Sequence, residues 1–311
     1  MTNRYLILGS LGMLGRAWRE LLDARRIPFD HGDRDEIDIT DAASIERAMG
    51  GRNYTHVINC AAWTDVDAAE ANEAGATLLN GTAVGFLADA CARHGAMLVH
   101  YSTDYVFDGE ATTPYRTDQP RDPLNAYGRG KAAGEIALER FGAPSRREGV
   151  GGGLSASSLR WLCLRTSWLY APWGKNFVRT IGAAALSRPQ LKVVHDQRGR
   201  PTSAEHLARV SLAMIEAGAS GMHHATDGGE CTWFEFACHI VECLRQAQSQ
   251  REGGGVSPPL AGVTPCTSAE FPRPAKRPAY SVLDISRTEA LVGPMPDWRR
   301  NLEDVMQRLE A

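Results

Sequence analysis

Long apolar runs are missing from this 311-residue chain. Nothing approaches the roughly 18 consecutive apolar residues of a membrane-crossing helix. The run Tyr5 to Leu8 is too short for a signal peptide and no cleavage pattern follows it, so a cytoplasmic protein is expected. An excess of one charge is missing too. The 34 Lys and Arg against 37 Asp and Glu leave a net charge of −3. The two signs are interspersed, which argues against a basic stripe for nucleic acid or a polybasic patch for a membrane surface. Paired cysteines are also missing. Cys60, Cys91, Cys163, Cys231, Cys238, Cys243 and Cys266 are scattered, odd in number and free of any Cys-x-x-Cys spacing, so they read as reduced packing residues. His223, His224, Cys238, His239 and Cys243 lie near one another in sequence, but their spacing matches no usual zinc pattern and no metal is expected. A small-molecule partner is what these exclusions leave. The length suits one large α/β unit with a smaller appendage.

The chain opens on an apolar strand, Tyr5 to Leu8, that runs into Gly9-Ser10-Leu11-Gly12-Met13-Leu14-Gly15 and then a helical pattern through Ala17, Trp18, Leu21 and Leu22. Strand, glycine turn and helix in that order suit a dinucleotide. Gly9 makes the turn, Gly12 lets backbone approach a pyrophosphate where Met13 and Leu14 open the helix, and Gly15 permits close packing. A second strand is expected over 27–31. Asp33 then falls where a doubly wound fold places an acid for the adenosine ribose, and Arg34 beside it could turn toward a 2′-phosphate. Asp38 and Ile39 resemble a pair lying along the adenine, with Thr40 or Asp41 capping a helix over 42–49. A third strand over 56–59 leads to Ala61 and Ala62, whose small side chains leave room for a cofactor or serve ordinary close packing.

A long helix is expected over 73–94. It carries Asn80 amid Leu78, Leu79, Val84 and Leu87, as a buried structural hydrogen-bonder or as part of a proton relay. A fourth strand from Met97 delivers Thr103 to the carboxyl edge of the sheet, where open α/β sheets bind ligands. Tyr127 and Lys131 follow at helical spacing, so phenol and ammonium share one face. A cation near a phenol favours phenolate, and at 4 Å and an effective dielectric near 20 the attraction is roughly 4 kcal/mol, so the Tyr127 pKa is expected to fall from about 10. Taken alone, such a pair also fits a snorkelling lysine.

A Gly/Arg/Ser-rich loop spans 143–158 and a second, Gly/Pro-bearing, spans 251–262. A fifth strand over 159–166 exits into Ser167-Trp168, again at the ligand edge, where Trp168 is a sugar platform or a core residue. Helices are expected over 176–186, 204–217, 232–248 and 298–309, with a polar connector over 196–202. The Pro-rich stretch 271–278 is expected to drape across the surface.

These pieces, with Ser102-Thr103-Asp104-Tyr105-Val106-Phe107-Asp108-Gly109 the most specific of them, resemble the extended short-chain dehydrogenase/reductase family over nearly the whole chain. Further stretches carry the likeness: Ala62 to Asp67, Arg165 to Tyr170, Asn176-Phe177, Asp196 to Thr202, and Arg277 to Leu283. The resemblance implies an α/β fold, a doubly wound parallel sheet of Rossmann type with a smaller C-terminal substrate-binding domain. Its dinucleotide-binding part would cover 1–170 with a return near 203–228, and its substrate-binding part 171–202 and 229–311. Thr103, Tyr127 and Lys131 would be catalytic. Tyr127 and Lys131 would also touch the nicotinamide half of NADPH or NADH, both cofactors being expected to work. Thr64, Val66, Thr103, Asp104, Tyr127 and Trp168 would face a nucleotide-linked 4-keto-6-deoxy sugar whose C4 carbonyl is reduced, and a homodimer is allowed. The rival readings are a reductase of a related nucleotide sugar and a non-catalytic binding subunit on the same fold. Dehydratase chemistry fits less well, because Asp104-Tyr105 rather than an Asp-Glu pair follows the hydroxyl.

Overall fold

The structure, a computed structural model, describes residues 3–142, 159–251 and 259–309. The loop expected at 143–158 lies outside the described residues, as does 252–258 of the second loop.

β1 (Tyr5–Leu8) is buried throughout, and its side chains alternate between two cores. Tyr5 and Ile7 join one apolar cluster with Trp18 and Leu22 of α1 (Met13–Ala24), whereas Leu6 and Leu8 join another. Such two-sided burial is what a parallel sheet with helices on both faces requires. β2 (Phe29–Gly32) starts two residues later than expected. Ile27 N still bonds Leu22 O to close the helix, and only from Phe29 is the chain extended alongside β1. α2 (Ala42–Met49) is capped by Asp41 rather than Thr40, the carboxylate accepting from Ala43 N at 2.9 Å. β3 (His56–Asn59) follows, then the short α3 (Val66–Ala71) and α4 (Glu73–Thr77).

The single helix expected over 73–94 is interrupted. A π-helical turn, Leu78–Thr82, separates α4 from α5 (Ala83–His94). Asn80 sits in that turn and is 1 % exposed; its amide accepts from Trp63 N and donates to Trp63 O, both at 2.9 Å. The structural role weighed for it is therefore the side chain's role here. β4 (Met97–Thr103), buried along its whole length, and α6 (Ala126–Gly142) come next. β5 (Trp161–Thr166) begins two residues after the expected start, and β6 (Leu169–Tyr170) leads to α7 (Phe177–Ser187).

β7 (Gln190–Val194), unforeseen because it alternates exposed and buried residues over only five positions, precedes two more short strands, β8 (Arg198–Gly199) and β9 (Thr202–Ser203). These last two lie in what reads as a plain polar connector. α8 (Ala204–Glu216), β10 (Gly221–His224), β11 (Cys231–Thr232), α9 (Trp233–Arg251), β12 (Gly262–Cys266), α10 (Ser286–Val292) and α11 (Trp298–Met306) complete the described chain.

Among the described residues the main sheet has the order β10-β5-β4-β3-β1-β2, with every neighbouring pair parallel. The connection changes direction between β1 and β3, so a crevice opens there at the carboxyl ends of the strands. A third apolar cluster gathers α7, α9, α11 and β7 around Ile181, Phe236, Ile240, Trp298 and Leu302. His223 and His224 are buried on β10, and among the described residues no group of three or more His, Cys, Asp or Glu is placed to hold a metal ion. The cysteines are all free thiols. No described helix is long and apolar enough to cross a membrane.

The Pro-rich stretch is more than a surface drape. Ala275 is buried, Ala275 N donates to Asp67, and Asn125 Nδ2 donates to Lys276 O at 2.9 Å. Residues 271–278 thus form a strap tied to α3 and to the segment that starts α6. Proline removes helical hydrogen bonding but leaves an extended chain free to make such ties.

Candidate active site

The glycine turn closes at the crevice. Gly9 has φ +71°, and Gly12 N donates to Gly9 O at 3.2 Å. A Cβ on Gly15 would lie 2.1 Å from Gly9 O, and one on Gly9 only 2.6 Å from Ala61 N. Any larger side chain at either position would push the turn, the first helix and the end of β3 apart. α1 begins without an acidic residue in its first turn and without a side-chain cap on Gly12, so its N-terminal amides carry no competing carboxylate. That is the chemistry a pyrophosphate needs, and the residues present fit a dinucleotide.

Ala61 is fixed just past the end of β3 by Asn59 Oδ1, which accepts from Ala61 N at 3.1 Å, while Asn59 Nδ2 lies 3.1 Å from His100 Nδ1. Asp33 stands at the end of β2, but its Oδ2 already accepts from Ser10 Oγ at 2.7 Å and from Leu11 N at 2.8 Å. Its carboxylate therefore braces the glycine turn. Arg34 is exposed beside it. Asp38 is occupied by Thr40, accepting from Thr40 N at 2.8 Å and Oγ1 at 2.7 Å, while Ile39 and Leu14 are buried in the two cores and Met13 is half-buried. For Ile39 and Leu14, therefore, only backbone is left to line a cofactor.

β4 and α6 bring the proton-handling groups together. Thr103 ends β4, and its Oγ1 donates to Asp104 Oδ1 at 2.9 Å and accepts from Tyr105 N at 3.2 Å. The start of α6 is capped from outside: Ala126 N donates to Glu70 Oε1 at 2.8 Å and Gly128 N to Asn125 Oδ1 at 2.9 Å. These bonds satisfy amides that a helix start leaves unpaired and fix where Tyr127 stands. The Tyr127 ring meets Tyr105 edge-on, with centroids 5.9 Å apart. Lys131 is buried and donates from Nζ to Tyr101 O at 2.8 Å.

The expected depression of the Tyr127 phenol is not what this geometry produces. Burial pushes its pKa up to about 12, the Thr103 hydroxyl pulling down and the Asp104 carboxyl pushing up. Lys131 spends its proton on the Tyr101 carbonyl, and burial drops its own pKa to about 8. Desolvation outweighs the pairwise attraction assumed from helical spacing. The Asp104 carboxyl is likewise pushed up by burial, to about 6, against the pull of Ser281 and Thr103.

One turn beyond Lys131, Glu135 forms a buried two-pronged ion pair with Arg165 of β5, at 2.8 and 2.7 Å. Arg165 pairs in register with Ser102, so the ion pair clamps the helix carrying Tyr127 and Lys131 onto the strands carrying Thr103. Sequence reading missed it, although a Glu four residues after the Lys was the available signal.

The other residues expected to face the sugar lie on separate segments. Thr64 is exposed and Val66 half-buried where β3 gives way to α3. Trp168 has φ +47° and stacks on Trp233 with centroids 3.6 Å apart and planes 11° apart. Beside them a cavity of about 630 Å³ is bordered by Tyr105 and Trp233 and by four cations, Arg188, Lys192, Arg273 and Arg277. Those cations were not singled out from sequence, because they are spread over 90 residues and converge only through the fold.

A doubly wound parallel sheet, a glycine turn at its switch point and a Thr, Tyr and Lys set at the same edge define an NAD(P)H-dependent oxidoreductase of the extended short-chain type. Residues 3–311 match the family model described as the RmlD substrate binding domain, and the chain belongs to that family. It is 39% identical over 276 residues to a dTDP-4-dehydrorhamnose reductase of Burkholderia thailandensis, covering 86% of each chain. It is 36% identical over 313 residues to a dTDP-4-keto-6-deoxy-D-glucose reductase of Streptomyces niveus, covering 100% of this chain and 99% of that one. Among solved structures, a dTDP-4-dehydrorhamnose reductase of Bacillus anthracis in complex with NADP superposes with a TM-score of 0.86 at 30% identity, covering 99% of both chains. One from Clostridium acetobutylicum gives 0.85 at 34% identity, over 99% of this chain and 100% of that one.

Proposed function

We propose that this protein reduces the C4 carbonyl of dTDP-4-dehydro-L-rhamnose to give dTDP-L-rhamnose, using NADPH or NADH. The observation that supports the reading is the Thr103 hydroxyl at the end of β4 beside the Tyr127 phenol, with Lys131 one turn further along the same helix. The names of the relatives supply the sugar nucleotide, and the NADP-bound neighbour supports the cofactor.

The bound cofactor supplies the hydride. Tyr127 supplies the proton. With its pKa at about 12, the phenol is fully protonated at neutral pH, and the alkoxide that forms on C4 is more basic still, so transfer runs downhill. Thr103 orients the carbonyl oxygen beside the phenol, with Asp104 holding the Thr103 hydroxyl. Lys131, held by the Tyr101 carbonyl, would bond the nicotinamide ribose of the bound cofactor, and solvent reprotonates the phenolate left on Tyr127. The Asp33-braced turn, with Gly12 and the start of α1, holds the pyrophosphate; Ala61 and Ala62 line the cofactor path. Trp168, Thr64 and Val66 take the sugar, and the four cations of the 630 Å³ cavity take the diphosphate. In this reading residues 1–170 with a return near 203–228 form the cofactor-binding part and 171–202 with 229–311 the substrate-binding part, and the protein works in the cytoplasm and assembles as a homodimer, which sedimentation would test.

A second reading, reduction of another dTDP-linked 4-keto-6-deoxy sugar, is favoured by the Streptomyces niveus relative and by one from Streptomyces antibioticus named a probable dTDP-4,6-dihydroxy-2-methyloxan-3-one 4-ketoreductase. Incubating the enzyme and NADPH with a panel of dTDP-linked keto sugars, with products resolved by mass and stereochemistry, separates the two. dTDP-L-rhamnose as the main product supports the first, another dTDP-linked deoxysugar the second, and no reduction of any member refutes both.

A further inference from the structure

Asp67 lies at the start of α3, immediately after Val66, and its carboxylate reaches across more than 200 residues of sequence to the strap 271–278. Oδ1 accepts from Ala275 N at 3.2 Å and from Arg277 Nη1 at 2.6 Å, and Oδ2 meets Arg273 Nη2 at 2.7 Å. Three donors on one carboxylate is an unusual concentration for a group whose side chain is 19% exposed. Arg277 is nearly as buried, at 16%, whereas Arg273 remains 50% exposed. Both arginines border the cavity beside Tyr105.

We propose that Asp67 is a positioning residue for the anionic half of the substrate, holding Arg273 and Arg277 in place before a diphosphate arrives. The inference rests on the reading that the cleft takes a nucleotide diphosphate sugar. An arginine has many rotamers, and a binding site that must freeze two of them on ligand entry loses affinity to that ordering. Asp67 does the freezing in advance. Its bond to Ala275 N also fixes the strap backbone, and two residues past the strap Tyr280 N donates to Gly109 O at 3.1 Å. Because Glu70 of the same helix caps the start of α6 at Ala126, one short helix sets both the arginines and the position of Tyr127.

Removing the carboxylate has two opposed effects. The cleft becomes more positive, which favours an anion at long range, but that attraction is screened by salt. The loss of the charge that pairs with largely desolvated Arg277, and of the oxygen that accepts from Arg273, is local and weakly screened, so it dominates at physiological ionic strength.

The test is Asp67→Asn, Arg273→Gln and the double variant in the full-length protein. Calorimetric binding of dTDP and of NADPH would be measured with steady-state kinetics on the keto sugar at 0.15 M salt. For Asp67→Asn we expect the dTDP Kd and the keto-sugar KM to rise at least tenfold together, with NADPH Kd and kcat within threefold of wild type. In the Arg273→Gln background the same substitution should have a markedly smaller effect, since part of its action runs through Arg273. An unchanged dTDP Kd, a loss confined to kcat, or full additivity of the two substitutions overturns the proposal. If Asp67→Asn does not fold, Arg273→Gln alone must raise the dTDP Kd at least threefold, and no change overturns it. Wild-type turnover of the keto sugar is the separate control: its absence refutes the substrate reading, whereas normal wild-type turnover with an unaffected Asp67→Asn variant refutes only the role of Asp67.

Discussion

Lys131→Met is expected to make the protein more stable at neutral pH while abolishing most turnover. The Lys131 ammonium is buried and its pKa falls from 10.5 to about 8. At ~1.4 kcal/mol per tenfold in proton affinity, holding that charge inside costs the folded state about 3 kcal/mol at pH 7. The hydrogen bond from Nζ to Tyr101 O returns part of this, about 1.5–3 kcal/mol for a bond from a charged donor. Methionine fills a similar volume without either contribution, so a net gain of about 1 kcal/mol is expected at pH 7. Between the folded pKa and the unfolded one the unfolded chain binds more protons, so wild-type stability rises with pH across that window. Between pH 7 and pH 9.5 the wild type should therefore recover about 2 kcal/mol relative to the variant, and the order of stability should reverse. Urea denaturation of both proteins at the two pH values measures this directly. A variant less stable at pH 7, or a difference that does not move with pH, would refute the account of Lys131 as a charge held at a cost for the sake of the reaction.

Tyr127→Phe should retain NADPH binding by calorimetry and lose roughly 10²–10⁴ in kcat, the contribution of a positioned general acid; near-normal turnover removes Tyr127 from the proton path. Trp168→Ala forfeits the 3.6 Å stack on Trp233 and so should lower Tm as well as weaken the keto sugar about tenfold or more, with NADPH affinity within threefold; equal loss of both affinities would make the residue purely structural. NADH and NADPH should both be accepted, with kcat/KM differing by no more than about tenfold, roughly 1.4 kcal/mol. Arg34→Ala should selectively weaken NADPH, while Asp33→Ala should weaken both cofactors because its carboxylate holds Ser10 and Leu11. A wild-type ratio beyond a hundredfold, or an Asp33→Ala variant with unchanged affinities, counts against this.

Local signals carried far in this chain. The turn at Gly9, Gly12 and Gly15 was readable because close backbone approach admits only glycine there, and the burial of Tyr5 to Leu8 on both faces was readable because a parallel sheet covered by helices demands continuous apolar strands. The place of Thr103 at the end of β4 and of Tyr127 and Lys131 one turn apart on α6 was legible from strand end and helical spacing. Short elements were not: β7, β8 and β9 hold two to five residues each, too few for any periodicity, and their strand character comes from partners distant in sequence. The π-helical turn at Leu78–Thr82 was hidden for a similar reason, since helical pattern alone does not register one extra residue per turn.

What the sequence by itself determined is the order of the longer strands and helices and the glycine turn after β1, because both follow from nearest-neighbour geometry along the chain. What only the tertiary structure decided is the electrostatic state of Tyr127 and Lys131 and the shape of the substrate cleft. Helical spacing placed Lys131 one turn from Tyr127, but burial pushed the phenol up to about 12 and turned the ammonium to the Tyr101 carbonyl. The join of Asp67 to Arg273 and Arg277 spans most of the chain. Desolvation and long-range contact depend on everything packed around a residue, and no local window of sequence contains that information.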